Sequence, residues 1–341
     1  MNDSILDTPV DIKTVRRLHQ DGCLTDEAFH AALKVVRPPS VWFAWAERQL
    51  LFFGSALLLS GIMFFFAYNW AAMGKFIKLG MIEAGLVACA LGAYKLGLHK
   101  LTGKVLLLSA SVLLGILMAV YGQTYQTGAD AYELFVGWAV LIFGWVVISE
   151  FVALWLFWLV LVNTGFILYW IQVVDPVHSL DDWEILFLSL GALNGVALTL
   201  REIAVKKGFA FLDGKWLGGI LVTAVLTAFT IPAMSVIFDE HYYYGQPISI
   251  GYAVPWPLVA VGAYLCYRRL WPNMLAVALV LMNACLLVLC AIGRLMFDGH
   301  RYYYNEEILF LVFALIIIAV VSLTAFSLKK IAATMAKERT S

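Results

Sequence analysis

Charge is what this sequence has least of. Only 13% of its 341 residues are Asp, Glu, Lys or Arg, against 62% that are hydrophobic, and mean hydropathy is +0.86. A soluble domain carries about 25% charged residues to face water. A water-facing surface is therefore excluded for most of the chain, which must face lipid. An excess of either sign is also missing, since 23 basic residues balance 23 acidic ones. No basic stripe is present, so nucleic acid is not expected as a partner. Cysteine is scarce and scattered. Cys23 lies in a polar segment, and Cys89, Cys266, Cys285 and Cys290 lie inside apolar runs. This excludes a disulfide framework and reads as small buried hydrophobes. Walker A, His-Glu-x-x-His and Gly-x-Ser-x-Gly motifs are all absent. No ATP motor, metalloprotease helix or nucleophile elbow is therefore encoded, and no cofactor is expected. The chain opens with Met-Asn-Asp-Ser and turns apolar only near Leu50, so a cleavable signal peptide is not expected either.

What the sequence does have is long apolar runs. Ten segments, near 51–70, 76–97, 104–121, 132–149, 152–172, 184–200, 216–237, 248–267, 273–296 and 307–328, each approach the length of a helix that crosses about 30 Å of hydrocarbon. None alternates apolar and polar residues as a barrel strand does. The predicted fold is an all-α polytopic membrane protein of about ten transmembrane helices arranged as hairpins. The expected organisation is a small cytosolic helical segment over 1–50, a membrane domain over 51–328 and a basic tail over 329–341. Within the first segment, Val15–Gln20 and Asp26–Val36 are predicted helices. Gly22 stops the first, and Thr25, Asp26 and Glu27 start the second. Pro38-Pro39 follows, and then Trp42, Phe43 and Trp45 beside Glu47 and Arg48, the composition of an interfacial helix.

Lysines and arginines fall on alternate sides of these spans. Nineteen of the 23 lie before Leu50, in the 95–104 and 201–215 connections, at Arg268-Arg269 or in the tail; Lys75, Lys78, Arg294 and Arg301 are the remainder. The positive-inside rule then predicts both termini in the cytoplasm. The outer loops are rich in acids and tyrosines, and two are related. Phe238-Asp239-Glu240-His241-Tyr242-Tyr243-Tyr244 is echoed by Phe297-Asp298-Gly299-His300-Arg301-Tyr302-Tyr303-Tyr304 with one residue inserted. Tyrosine triplets at span ends suit headgroup anchoring, but belts do not need acids. Asp239 with His241, Asp298 with His300, and Asp175 with His178 are therefore candidates for one polar site on the outer face. Carboxylate beside imidazole suits a divalent cation. The spacing between pairs is unconstrained, so no metal is assigned.

Ionisable residues at membrane depth default to functional candidates. Glu83 is the clearest, about eight residues into its span from the outer side. It reads either as a cation- or proton-coupling acid or as a neutral acid bonded to another helix. Asn69, Asn163, Asn194 and Asn283 read as interhelical hydrogen-bonding residues, and Gly191 with Gly195 as a close-packing face. Pro232, Pro255 and Pro257 are expected to interrupt helices, as in transporters.

Two stretches carry a resemblance. "VRRLHQDGCLTDEAFHAAL" (residues 15–33) resembles the short helical hairpins of SHOCT type appended to bacterial membrane proteins, which implies an assembly surface. "FAYNW" (66–70) and "VYGQTYQTGADAYELFVGWA" (120–139), with "DGCLTDEAF", resemble the bacterial domain-of-unknown-function family 2157 of predicted membrane proteins over roughly residues 10–150. Asn69, Trp70, Gln123, Tyr125, Asp130 and Trp138 are the residues of that pattern. The resemblance implies a bacterial cytoplasmic membrane and hands down no activity.

Three functional readings follow, in order. The first is transport or lipid/glycan handling through a polar site open to the outer face. The second is a non-enzymatic scaffold or assembly partner, with residues 1–50 and the outer loops binding protein. The third is an integral membrane enzyme acting on a lipid-linked substrate. The bilayer is a partner in all three.

Overall fold

The computed structural model describes residues 12–36, 70–175, 183–238, 250–298 and 306–340, with scattered positions between 42 and 68. Its regular structure is helical, with no strand among the described residues, as hydrocarbon requires of a chain whose backbone groups must be satisfied internally. The chain forms two compact units, Met1–Lys78 and Leu79–Ser341.

In the first unit, α1 (Ile12–Gln20) and α2 (Asp26–Val36) make the predicted hairpin. Gly22 takes φ +72°, a left-handed conformation that glycine adopts without strain. The Cys23 N–H then donates to the Leu18 carbonyl at 2.8 Å. Thr25 caps α2, its Oγ1 accepting from the Ala28 N–H at 3.3 Å, and Asp26 and Glu27 occupy the positive end of the helix. The hairpin is held by His19, whose ring stacks on Phe29 at 4.3 Å while Nδ1 lies 3.1 Å from the Leu24 carbonyl. Trp42 and Trp45 meet edge-on at 6.1 Å and, with Phe43, are exposed. That suits an interfacial segment.

From α3 (Lys75–Leu96) the chain becomes a succession of long apolar helices: α4 (Leu101–Tyr125), α5 (Ala131–Ser149), α6 (Val152–Tyr169), α7 (Trp183–Lys206) and α8 (Lys215–Phe238). The shorter α9 (Pro255–Leu265), α10 (Met274–Asp298) and α11 (Glu306–Thr340) complete the unit. Eight helices among the described residues are long and apolar enough to cross a membrane. They coincide with eight of the ten expected spans. The first expected span, 51–70, falls largely outside the described residues. The one expected at 248–267 appears as eleven α-helical residues followed by a five-residue π-helical turn, Cys266–Leu270. At 1.5 Å per residue that is about 24 Å, less than the hydrocarbon thickness. The protein is thus a multi-pass integral membrane protein.

Three apolar cores organise the second unit, one of them formed by Leu186 and Leu190 of α7 with Ala228 of α8. Ala93, Leu107, Ile142, Val146, Leu154 and Leu161 join α3 to α6, and Val222, Leu226, Ala260, Tyr267, Val277 and Val280 join α8, α9 and α10. Asparagines cross-link neighbouring helices as expected. Asn163 on α6 and Asn194 on α7 exchange amide hydrogen bonds of 3.3 and 2.7 Å. The Asn283 amide on α10 donates to Thr230 of α8 at 2.9 Å and accepts from the Trp256 indole of α9 at 2.8 Å. Such bonds between helices are worth about 0.6–2 kcal/mol in a bilayer.

Two expectations change. Gly191 does pack closely, a Cβ there lying 2.6 Å from the Phe229 ring, but Gly195 has nothing within 4 Å. The small-residue face is therefore a single contact. Pro255 and Pro257 start a helix instead of interrupting one, since Pro255 is the first residue of α9, where a missing N–H leaves nothing unpaired. Pro232 does lie inside α8, where its missing N–H leaves one backbone bond unmade as expected, and the helix continues through it to Phe238.

Aromatic anchors fix α5 between its neighbours. The Trp138 indole N–H donates to the Ser111 carbonyl of α4 at 2.7 Å, and the ring covers Gly115, where a Cβ would fall 2.1 Å from it. Gly115→Ala must displace a ring already tied by that bond and is expected to lower stability by about 1–3 kcal/mol, the usual range for overpacking. Gly195→Ala, with open space at its Cβ, is the matched control and should be neutral or mildly stabilising. Thermal melts in detergent check both.

Candidate functional site

The connection between α4 and α5 is built to turn tightly. Gln126 ends α4 in the left-handed region at φ +47°, its N–H donating to the Gly122 carbonyl. Thr127 bonds the same carbonyl at 3.3 Å, and Gly128 follows at φ +68°. Asp130 then stands at the N-cap of α5 in an extended conformation, with Glu133 in the first turn. The positive end of the helix dipole tolerates both carboxylates there. The Tyr132 N–H donates to Gln172 Oε1 at 3.2 Å, and Tyr132 meets Tyr169 edge-on at 5.4 Å. These contacts tie the start of α5 to the end of α6.

This turn roofs a cleft of about 930 Å³ whose other wall is α3. Leu79 and Glu83 contribute from α3, Leu117, Tyr121, Gly122 and Gln123 from α4, and Thr127, Asp130 and Glu133 from the turn and α5. Three carboxylates thus line one cavity, and among the described residues no lysine or arginine lines it. Glu83, Asp130 and Glu133 are all exposed. No hydrogen bond or ion pair joins Glu83 to a neighbouring helix among the described residues. The carboxylates do not converge on one point: no group of three His, Cys, Asp or Glu able to hold a metal ion occurs among the described residues.

The cleft brings together candidates that carry separate signals in the sequence. Glu83, a depth anomaly, and Gln123 and Asp130, residues of the family pattern, line one wall system. Glu133 was missed, although its place three residues after Asp130 puts it in the same first helical turn. Tyr125 packs against Tyr121 with ring centroids 4.7 Å apart and planes tilted by 42°, and Trp138 serves packing. Trp70 sits in a short 3₁₀ turn under the Lys78 ammonium, 4.9 Å from its ring centroid, and Asn69 lies outside the described residues. Of the outer Asp and His candidates, Asp175 caps the π-helical end of α6, its N–H bonding the Trp170 carbonyl at 2.8 Å. Asp298 is the last residue of α10. His178, Asp239, His241 and His300 lie outside the described residues.

A second polar cluster lies at the opposite end of the helices. Arg201 and Glu202 of α7 are 7% and 5% exposed and pair at 2.6 Å. The Tyr267 hydroxyl donates to the same Glu202 oxygen at 3.0 Å, and Arg201 reaches the Leu212 and Gly214 carbonyls at 2.9 and 3.2 Å. Lys104 also lies at this end, its ammonium bonding the Glu150 carbonyl at 2.9 Å. In the sequence Arg201 signals only sidedness, and Glu202 and Tyr267 carry no signal of a partnership that spans 65 residues of chain.

Residues 16–155 match the family described as Predicted membrane protein (DUF2157). The matched segment contains every residue lining the acidic cleft. No curated protein and no solved structure matches the chain.

Proposed function

Residues 16–155 belong to the DUF2157 family of predicted membrane proteins, and from that premise we propose that this chain binds an organic cation at the outer face of a bacterial cytoplasmic membrane, as a transport or solute-handling protein. The carrying observation is the cleft lined by Glu83, Asp130 and Glu133 without a compensating base. Three carboxylates on the walls of one cavity, with no base among its lining residues, attract cations over anions. The volume is that of a small-molecule pocket. Together with carboxylates spread over its walls, it favours an amine-bearing molecule over a tightly ligated ion.

Sidedness supports the outward direction. The cleft opens at the helix ends away from Lys104, Arg201, Lys206 and Arg268, the end that the positive-inside rule assigns to the cytoplasm. A scaffold role keeps one specific support, since the α1–α2 hairpin belongs to a unit of its own.

Thermal stability of the purified protein tests the proposal. Polyamines and quaternary amines should raise the melting temperature saturably, by mass action. Anions, neutral sugars and sodium chloride at equal ionic strength should not. Equal shifts from salt and amine, or none from any cation, would remove the cation site.

A further inference from the structure

The register of the helices around the acidic cleft spaces its charges. α3 and α4 run antiparallel. A Cβ on Gly85 would lie 3.5 Å from the Leu113 side chain, and one on Gly92 would lie 3.0 Å from that of Leu106. Both contacts give the same register, which sets Glu83 level with about Gly115. α4 and α5 are registered by the Trp138 ring over Gly115, and by Met118, 3.3 Å from a Cβ on Gly137. Glu133 is then level with about Val120, and Asp130 with about Gln123. At about 1.5 Å per residue, Glu83 lies about 8 Å further from the α4–α5 turn than Glu133 does, and about 12 Å further than Asp130.

Between those levels the walls are apolar, with Leu79 of α3, Leu117 of α4 and Leu134 of α5 lining the cleft. The cleft therefore carries negative charge at two levels and hydrocarbon between them. A compact cation reaches one level and leaves the other unpaired. An extended chain of about four to six methylenes spans about 6–9 Å between its terminal nitrogens at ordinary bond lengths. We propose, resting on the cation reading above, that the ligand is a linear aliphatic polyamine lying along the helices. One ammonium sits on Glu83 and the next on Glu133 and Asp130, and the methylenes between them cover Leu79, Leu117 and Leu134.

Melting temperatures of the purified full chain at constant ionic strength test this, read as apparent affinities. Each member of a diamine series from ethylenediamine to 1,10-diaminodecane is compared with the monoamine of equal carbon number, which cancels the gain from chain length alone. The advantage of the second ammonium should peak between 1,4-diaminobutane and 1,6-diaminohexane, at about tenfold or more, the gain from a second charge-assisted hydrogen bond. Asp130→Asn combined with Glu133→Gln removes the outer charges and keeps Glu83, and Asn caps a helix as well as Asp does. That double variant should bind 1,5-diaminopentane no better than n-pentylamine. A diamine advantage that is flat along the series, or that survives in the double variant, would overturn the polyamine and leave the cation site standing. No shift from any amine would overturn both.

Discussion

Glu83→Gln is expected to abolish amine-dependent stabilisation while leaving the folded yield intact. Glu83 lies about 12 Å along α3 from Lys75, lines the cleft and makes no hydrogen bond to another helix among the described residues. The amide keeps volume and hydrogen-bonding capacity, so the unliganded protein should change by no more than about 0.5 kcal/mol. The lost charge removes the strongest attraction the site offers from within the span. Glu83→Leu extends the argument: a carboxylate at that depth is costly, so the leucine variant should be as stable as wild type or more so, and equally unable to respond to amines. A large loss of stability in Glu83→Leu would instead mark Glu83 as a structural acid bonded to another helix. Asp130→Asn and Glu133→Gln should weaken the response in smaller steps, because those groups lie nearer to water, where screening is stronger.

Glu202→Leu should produce the largest stability loss in the protein, about 3–5 kcal/mol. Removing one member of a buried ion pair leaves the other charge uncompensated. Arg201 keeps its bonds to the Leu212 and Gly214 carbonyls, which hold the connection between α7 and α8, but those carbonyls do not neutralise it. Tyr267→Phe removes only the hydroxyl donor to Glu202 and should cost about 1 kcal/mol. The triple replacement Arg201→Met, Glu202→Leu, Tyr267→Phe removes both charges and the orphaned partner. It should recover most of the loss, as buried pairs replaced by apolar groups often do. Chemical denaturation in detergent distinguishes the cases. A Glu202→Leu variant within about 1 kcal/mol of wild type would show that water reaches this cluster and screens it.

The membrane class and eight of the spans were legible because each apolar run long enough to cross hydrocarbon must be helical there. The pairing of helices was not, for a related reason. In α5 and α6 apolar residues occur all around the helix, so no periodic face says which side meets a neighbour. The need for partners could be read at Asn163, Asn194 and Asn283, but not their identity, because the bonds join residues 31 and 53 apart in the chain. Glu83 stood out by depth alone, and Gln123 and Asp130 by family pattern alone. Only folding α3 against the end of α4 puts them in one cavity. Glu202 was hidden by its neighbour Arg201, since adjacent opposite charges at a span end look like a solvated connection. The repeated Asp-x-His runs after α8 and α10 have most of their residues outside the described ones, and their common site stays a proposal.

Cysteine labelling in intact cells tests the central claim, that the acidic cleft opens away from the cytoplasm and takes a cation. In a Cys23→Ser background, Ala129→Cys, placed on the cleft wall, should react with a membrane-impermeant maleimide without permeabilisation. The stabilising amine should slow that reaction. Lys207→Cys, at the opposite helix end, should react only after the membrane is opened. Labelling of Lys207→Cys in intact cells with Ala129→Cys protected would invert the protein, place the cleft in the cytoplasm and contradict the account.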